Sequence, residues 1–324
     1  MSAVTYIGNF KPQHSTENEI LRALNALGHD VTIVQEDDEL GWRTLISRVH
    51  STTSLPDVVL WTRTRSLSDQ IDERLRWDTL YACSERGIPT VGYHLDRWWG
   101  LDREAEIASD PFFRVSLLCT ADGGHDEQWK DAGITHAWFP PAISEFEVGC
   151  GTPVDEYACD VAFVGSWQGY GHAEWWPHRE RMLDAVSGWY GDTFRCFPEP
   201  GCPRVTGMDL ADLYASAKVV VGDSCLVPGV DGVPVGRYWS DRVPETLGRG
   251  GLLVHPWVEG ISSILPTYFN YPLSDMDALH ERIEMVLGWT EDQRSGVRAA
   301  CAQRVAERDT YTVRMKQLWN LLGL

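Results

Sequence analysis

The 324-residue sequence predicts an α/β protein made of two parallel-sheet domains in tandem. Three observations carry this expectation. Short apolar runs alternate with amphipathic stretches twice along the chain, the pattern of β-α-β units, whose strands lie parallel. The opening run of each half ends in glycine, Val4–Gly8 in the first and Asp160–Gly165 in the second. The length exceeds one ordinary core and suits two.

In chain order, Val4-Thr5-Tyr6-Ile7-Gly8 reads as the first strand. The polar loop Asn9–Glu19 follows, with Ser15 or Thr16 placed as a helix cap and Thr16-x-x-Glu19 as a capping box. A helix from Glu17 to Leu27 carries Ile20, Leu21, Leu24 and Leu27 on one side, ends at Gly28 and precedes the strand Val31–Val34. Helices over 42–49, 69–86, 104–109 and 124–132 then alternate with strands over 58–61, 89–93, 114–120 and 136–139. Pro140-Pro141 breaks the rhythm and marks a boundary region. The expected domains are 1–150 and 151–300, followed by a C-terminal helix, 301–324. The second half repeats the architecture, with strands over 160–165, 193–197, 218–222 and 252–254. Helices over 178–189, 208–216 and 275–287 separate them, and a long helical tail over 291–322 closes the chain. Ligands of such sheets lie beyond the carboxyl ends of the strands, so the strand-ending loops are where chemistry is expected, with a cleft between the two domains.

Composition narrows the function. Apolar residues make up 43% and charged ones 23%, as in globular proteins, and no run of 18 apolar residues is present to span a membrane. Met1–Ile7 runs straight into a strand without the features of a signal peptide, so a cytoplasmic protein is expected. The eight cysteines form no Cys-x-x-Cys pair, which fits reduced thiols. His172, Glu174 and His178 lack the spacing of a metal site, and none is assigned. With 28 basic against 47 acidic residues the net charge is −19, which disfavours broad contact with nucleic acid. Of the 15 tryptophans, Trp98-Trp99, Trp167, Trp175-Trp176 and Trp239 sit among polar residues, where flat faces suit sugar rings or bases.

The most informative stretch is Tyr238–Gly251, followed by Leu252-Leu253-Val254. It reads as a short helix closed by glycines that runs into a buried strand. Arg242 and Glu245 are three apart and share a face near the helix start. A helix N-terminus suits a diphosphate, Arg242 adds a fork of donors for phosphate oxygens, and Glu245 supplies a carboxylate for ribose hydroxyls. The alternative is a surface helix carrying an Arg–Glu pair. Elsewhere, His94 and Asp96 end a strand beside Arg97 and Trp98-Trp99. They read as a base, as an orienter of one, or as sugar-binding groups, against an interdomain salt link. Arg179 and Arg181 open a helix after a tryptophan-rich loop; Arg179 could reach a diphosphate, although two arginines on a solvated helix face are the commoner arrangement.

The order of the Asp209–Val221 segment and Arg242-Val243-Pro244-Glu245-Thr246-Leu247-Gly248-Arg249-Gly250-Gly251 resembles the donor half of GT-B-fold glycosyltransferases. The resemblance is to the spore-coat CgeB-like branch of the family-4-type enzymes (glycosyl transferases group 1), which share an Arg-x-x-Glu helix and a Gly-Gly strand entry. These also tend to end in a His/Asp-Thr-Tyr-x-x-Arg helix, here Asp309-Thr310-Tyr311-Thr312-Val313-Arg314. The Gly8…His14-Ser15-Thr16…Gly28-His29 pattern looks like the acceptor half. The resemblance implies two Rossmann-like αβα domains facing each other across a cleft, with the C-terminal helix packing back toward the first. It implies a glycosyltransferase that moves a sugar from a nucleoside-diphosphate sugar, UDP- or GDP-linked, to an acceptor hydroxyl, with no tightly bound cofactor and no metal. On this pattern Glu245 binds the donor ribose and Arg242 is the nearby basic position. Arg204 and Val205 lie where the nucleobase is cupped, and Gly165 and Ser166 where backbone approaches the diphosphate. His14 occupies the loop from which a histidine deprotonates the acceptor in inverting members. Family-4-type retaining enzymes often carry a second glutamate eight residues before the first; here Arg237 stands there, which leaves the anomeric outcome open. The acceptor is a small glycan, a protein side chain or a hydroxymethylated base in phage-type DNA, the last disfavoured by the charge. The alternatives are a nucleotide-sugar epimerase of the same fold and a non-catalytic two-lobed nucleotide-sugar-binding protein.

Overall fold

Among the described residues every strand pairing is parallel, as the alternation of apolar runs and helices requires. The computed structural model describes residues 1–51, 54–63, 71–165, 176–229 and 232–324. The chain divides into two units: Met1–Pro140 with Tyr311–Leu324, and Pro141–Thr310.

The first unit runs β1 (Ala3–Gly8), α1 (Thr16–Ala26), β2 (Asp30–Gln35), α2 (Glu39–His50), β3 (Val58–Thr62) and α3 (Glu73–Glu85). It continues with β4 (Thr90–His94), α4 (Glu104–Ser109), β5 (Leu117–Thr120), α5 (Asp126–Asp131) and β6 (His136–Trp138). The sheet order is β2-β1-β3-β4-β5-β6. The central strand β3, Val-Val-Leu-Trp-Thr, is buried throughout, which is why it reads as a continuous apolar run rather than an alternation. Aromatic rings meet edge-on through this core, Trp42 with Trp61 at 5.0 Å and Trp61 with Phe112 at 5.1 Å.

The second unit runs β7 (Cys159–Val164), α6 (Pro177–Tyr190), β8 (Phe194–Phe197), α7 (Gly207–Ser216), β9 (Ala217–Val221) and α8 (Arg242–Gly248). Then come β10 (Leu253–Pro256), β11 (Asn270–Tyr271), α9 (Met276–Leu287) and α10 (Glu291–Arg308). Its sheet order is β11-β10-β9-β7-β8. The last helix, α11 (Tyr311–Leu322), belongs to the first unit and packs on α1.

Three expectations change. The units divide at Pro140 and Thr310 rather than at 150 and 300. The tail is two helices: the Ile143 N–H donates to Asp309 O at 3.1 Å and Ile143 bridges Thr310, which draws the chain out of helical geometry between α10 and α11. Just beyond, Arg314 Nε and the Tyr93 hydroxyl both donate to Pro140 O, at 3.0 and 3.2 Å. The Asp-Thr-Tyr-x-x-Arg motif thus straddles the point where the chain passes back from the second unit to the first, Asp309 bonded within the second and Arg314 within the first. Finally, Ser15 alone caps α1, its Oγ accepting from Asn18 N at 3.2 Å, and helical geometry starts at Thr16 itself, so Thr16 caps nothing.

The passage from α8 to β10 depends on glycine. Gly250 has φ +92°, and a Cβ on Gly251 would lie 2.6 Å from Thr246 Cγ2 and 2.9 Å from Thr246 O. The backbone oxygen cannot move aside without breaking the Gly251 N–H bond to that same oxygen, at 2.7 Å. Gly251→Ala is expected to destabilise the protein by about 1–3 kcal/mol; an unchanged urea midpoint would show that the turn has slack.

Candidate functional site

In a parallel sheet all carboxyl ends share one edge, so the loops after β7, β8, β9 and β10 assemble along one rim of the second unit. Gly165 leaves β7 with φ +157°, a conformation that side chains rarely adopt. A Cβ there would lie 2.9 Å from Phe163 Cζ and 3.3 Å from Arg242 Nε. The missing side chain is therefore what lets the Arg242 guanidinium reach the end of β7. Arg179, in the first turn of α6, arrives at the same rim: its guanidinium lies 5.6 Å from the Phe163 ring and 4.9 Å from the Trp176 ring. It is gripped by Asp223 after β9, Nε donating at 3.1 and 3.0 Å to the two oxygens and Nη2 at 2.9 Å. Asp223 is fully buried and was not among the residues singled out as binding groups from sequence.

Arg242 is the first residue of α8, and Asp241 takes the N-cap position without a side-chain cap bond. The helix spans only seven residues, too few for a strong dipole at its N-terminus. Burial pulls the Arg242 pKa down, but Asp241, Tyr214, Glu245 and Asp223 outweigh it and the net shift is upward. Glu245 pairs not with Arg242 but with Arg249, at 3.4 Å, and Arg249 also bonds the Glu147 carboxylate. Burial pushes the Glu245 carboxyl up, with Arg249 opposing. Val243, Pro244, Thr246 and Leu247 are buried, so α8 is not a surface helix. Arg204 is exposed and Val205 half-buried on the loop that leaves β8 along the same rim. Ser166 lies outside the described residues, as do Trp167 and Trp175.

One relay was not legible in sequence. His255 Nδ1 lies 2.7 Å from Pro256 O, and a carbonyl can only accept, so the proton sits on Nδ1. Nε2 then accepts from the Ser224 hydroxyl at 2.9 Å, and Ser224 Oγ accepts from Ser240 N at 3.0 Å. Burial lowers the His255 pKa to about 4, which keeps the ring in this neutral form.

The rim of the first unit carries the other candidates. His14 is exposed in the β1–α1 loop, which Asn18 ties down through bonds from Nδ2 to Phe10 O and Pro12 O at 3.1 and 2.8 Å. His94 is buried, its ring packed against Trp98 and Phe112. Its Nδ1 accepts from Asp96 N at 3.0 Å and from Trp98 Nε1 at 3.3 Å, which puts the proton on Nε2, 4.0 Å from the Asp96 carboxylate. Burial, Arg103 and Arg63 hold its pKa well below the usual value. His94 is arranged to donate a hydrogen bond rather than to take a proton, which corrects its reading as a base; Asp96 and His14 are both exposed. Behind them, the buried Asp122 accepts from Trp98 N and Trp99 N, both at 2.9 Å, and fixes the turn after β4. Trp98 and Trp239 are core residues rather than open platforms, Trp99 and Trp176 are half-buried, and none of the eight cysteines is in a disulfide. Among the described residues no group of three or more His, Cys, Asp or Glu is placed to hold a metal, and no helix is long and apolar enough to cross a membrane.

Residues 160–320, about half the chain, match a family model described as "Glycosyl transferase-like". No curated protein matches the sequence. Among solved structures, one described as "Trehalose-6-phosphate from E. coli bound with UDP-2-fluoro glucose" superposes with a TM-score of 0.62 at 11% identity, covering 99% of each chain. An alpha,alpha-trehalose-phosphate synthase (UDP-forming) from Burkholderia xenovorans, in complex with glucose-6-phosphate, gives 0.59 at 11% identity, covering 99% of this chain and 100% of the other. The N-terminal domain of Candida albicans trehalose-6-phosphate phosphatase gives 0.57 at 9% identity, with 99% and 96% covered. At such identities the likeness is one of fold, two Rossmann-like α/β domains.

Proposed function

We propose that this chain, which belongs to the GT-B glycosyltransferases, moves a hexosyl group from a nucleoside diphosphate to an acceptor hydroxyl, with its second unit holding the donor. The observation that carries the reading is the approach of Arg242 to Gly165, with Glu245 one turn further along α8, inside the stretch that matches the glycosyltransferase model. In the reaction the bond between the sugar's anomeric carbon and the β-phosphate oxygen breaks, and the acceptor oxygen bonds to that carbon and loses its proton. Negative charge grows on the departing diphosphate. Arg242, kept charged by the surrounding carboxylates, supplies fixed donors where that charge develops. Arg179 adds a second guanidinium at the same rim, and Glu245 offers a carboxylate to the ribose hydroxyls. The Arg204-Val205 loop completes the proposed donor site, at the base. Asp96 and His14 are the residues proposed to receive the acceptor proton, with His94 orienting Asp96.

The bound UDP-2-fluoro glucose of the E. coli structure makes UDP-glucose the first donor to test, with GDP-mannose beside it. The net charge of −19 weighs against a DNA acceptor and toward a small glycan or a protein side chain. Incubation with radiolabelled donor and a panel of sugars and sugar phosphates is expected to release nucleoside diphosphate only when an acceptor is added. Isomerised donor without any acceptor would establish the epimerase instead, and binding of donor without turnover under any condition would leave a binding protein.

A further inference from the structure

We infer that the adjacent residues Asp223 and Ser224 form a two-headed brace that sets the spacing of Arg179 and Arg242 for a diphosphate. Asp223 takes the Arg179 guanidinium through bonds of 3.1, 3.0 and 2.9 Å. Ser224 takes the segment that leads into α8, through the Ser240 N–H at 3.0 Å, and is itself fixed by His255 on β10 at 2.9 Å. Consecutive residues of an extended chain point to opposite sides, so one dipeptide after β9 reaches α6 with one hand and the start of α8 with the other. Both residues are buried, at 1% and 2% exposure, so neither is open to a ligand; Asp223 acts through the Arg179 guanidinium, and Ser224 through the backbone two residues before Arg242.

Two guanidiniums recognise a diphosphate better than a monophosphate only if their separation matches the two phosphates, and holding them in advance removes the ordering cost at binding. The brace is thus a specificity device for the β-phosphate. A group that merely stabilised the unit would change affinity for mono- and diphosphates alike. This inference rests on the donor-site reading above and is tested separately from it.

The test measures Kd by calorimetry for UDP and UMP, and for GDP and GMP, on the full-length wild type and on S224A, S224T and D223N. The preference for diphosphate over monophosphate is expected to shrink about tenfold in S224A and D223N and to survive in S224T, which keeps the hydroxyl. D223N strips a buried guanidinium of its counter-charge and can unfold the unit, so S224A, which removes one hydroxyl, decides. An S224A protein that melts like wild type and keeps the full preference would overturn the brace, as would an equal loss for mono- and diphosphates. A wild type that binds no nucleoside diphosphate would remove the donor site itself.

Discussion

Arg242→Ala is expected to weaken nucleoside diphosphate binding by about a hundredfold while the second unit stays folded. A charge-assisted hydrogen bond contributes about 1.5 kcal/mol or more, and a fork that makes two of them contributes about 3 kcal/mol, or two powers of ten in Kd. The fold should survive because α8 is held by Val243, Thr246 and Leu247, all buried, and by the Arg249–Glu147 pair rather than by Arg242. Glu245→Ala is expected to cost about tenfold, the loss of one carboxylate contact to a ribose, since Arg249 keeps Glu147 when Glu245 is gone. Calorimetric titration with UDP and GDP, beside a thermal melt of each variant, measures both. Affinities equal to wild type in both variants would take the donor site away from α8.

Acid should unfold this protein earlier than its carboxylates alone would suggest. His136, His178 and His255 are each pushed down to about 4 by burial. In the unfolded chain each titrates near 6.5. Between those values the unfolded state binds protons that the folded state refuses, so stability is complete above about pH 6.5 and is lost as the pH falls toward 4. The loss approaches about 1.4 kcal/mol per pH unit for each imidazole and reaches roughly 3 kcal/mol each at pH 4. Asp122 and Glu245 work the other way, because burial raises their carboxyls and the folded state takes up those protons first. Two raised carboxyls offset only part of three buried imidazoles, so the net slope stays destabilising. Urea midpoints at pH 7, 5.5 and 4.5 should fall steadily; a midpoint that holds from pH 7 to 5 would mean that these rings are hydrated in solution.

The strands were legible because parallel sheets bury both faces: Val58–Trp61 and Val219–Val221 announce themselves as apolar runs. β11 was not, since Asn270-Tyr271 is too short to show any period. The proposed donor rim was half legible. Arg242, Glu245 and the glycines stand close together in sequence and carry a local pattern. Their supports are scattered: Arg179 and Asp223 lie 44 residues apart, Ser224 and His255 31 apart, Glu147 and Arg249 102 apart. Each partner is an ordinary polar residue whose purpose appears only when the sheet brings strand ends together. His94 misled for the opposite reason, because a strand-ending histidine beside an aspartate looks like a base until its acceptor nitrogen is found already occupied.

The second unit is an insertion in the first, and its two ends lie together, where Ile143 bridges Thr310. Ser2 and Trp319, from opposite ends of the sequence, meet through a 3.3 Å hydrogen bond on the first unit. Residues 141–310 are thus the segment to excise, and a cooperative thermal melt of that segment alone would show that the proposed donor site sits on a unit that folds by itself.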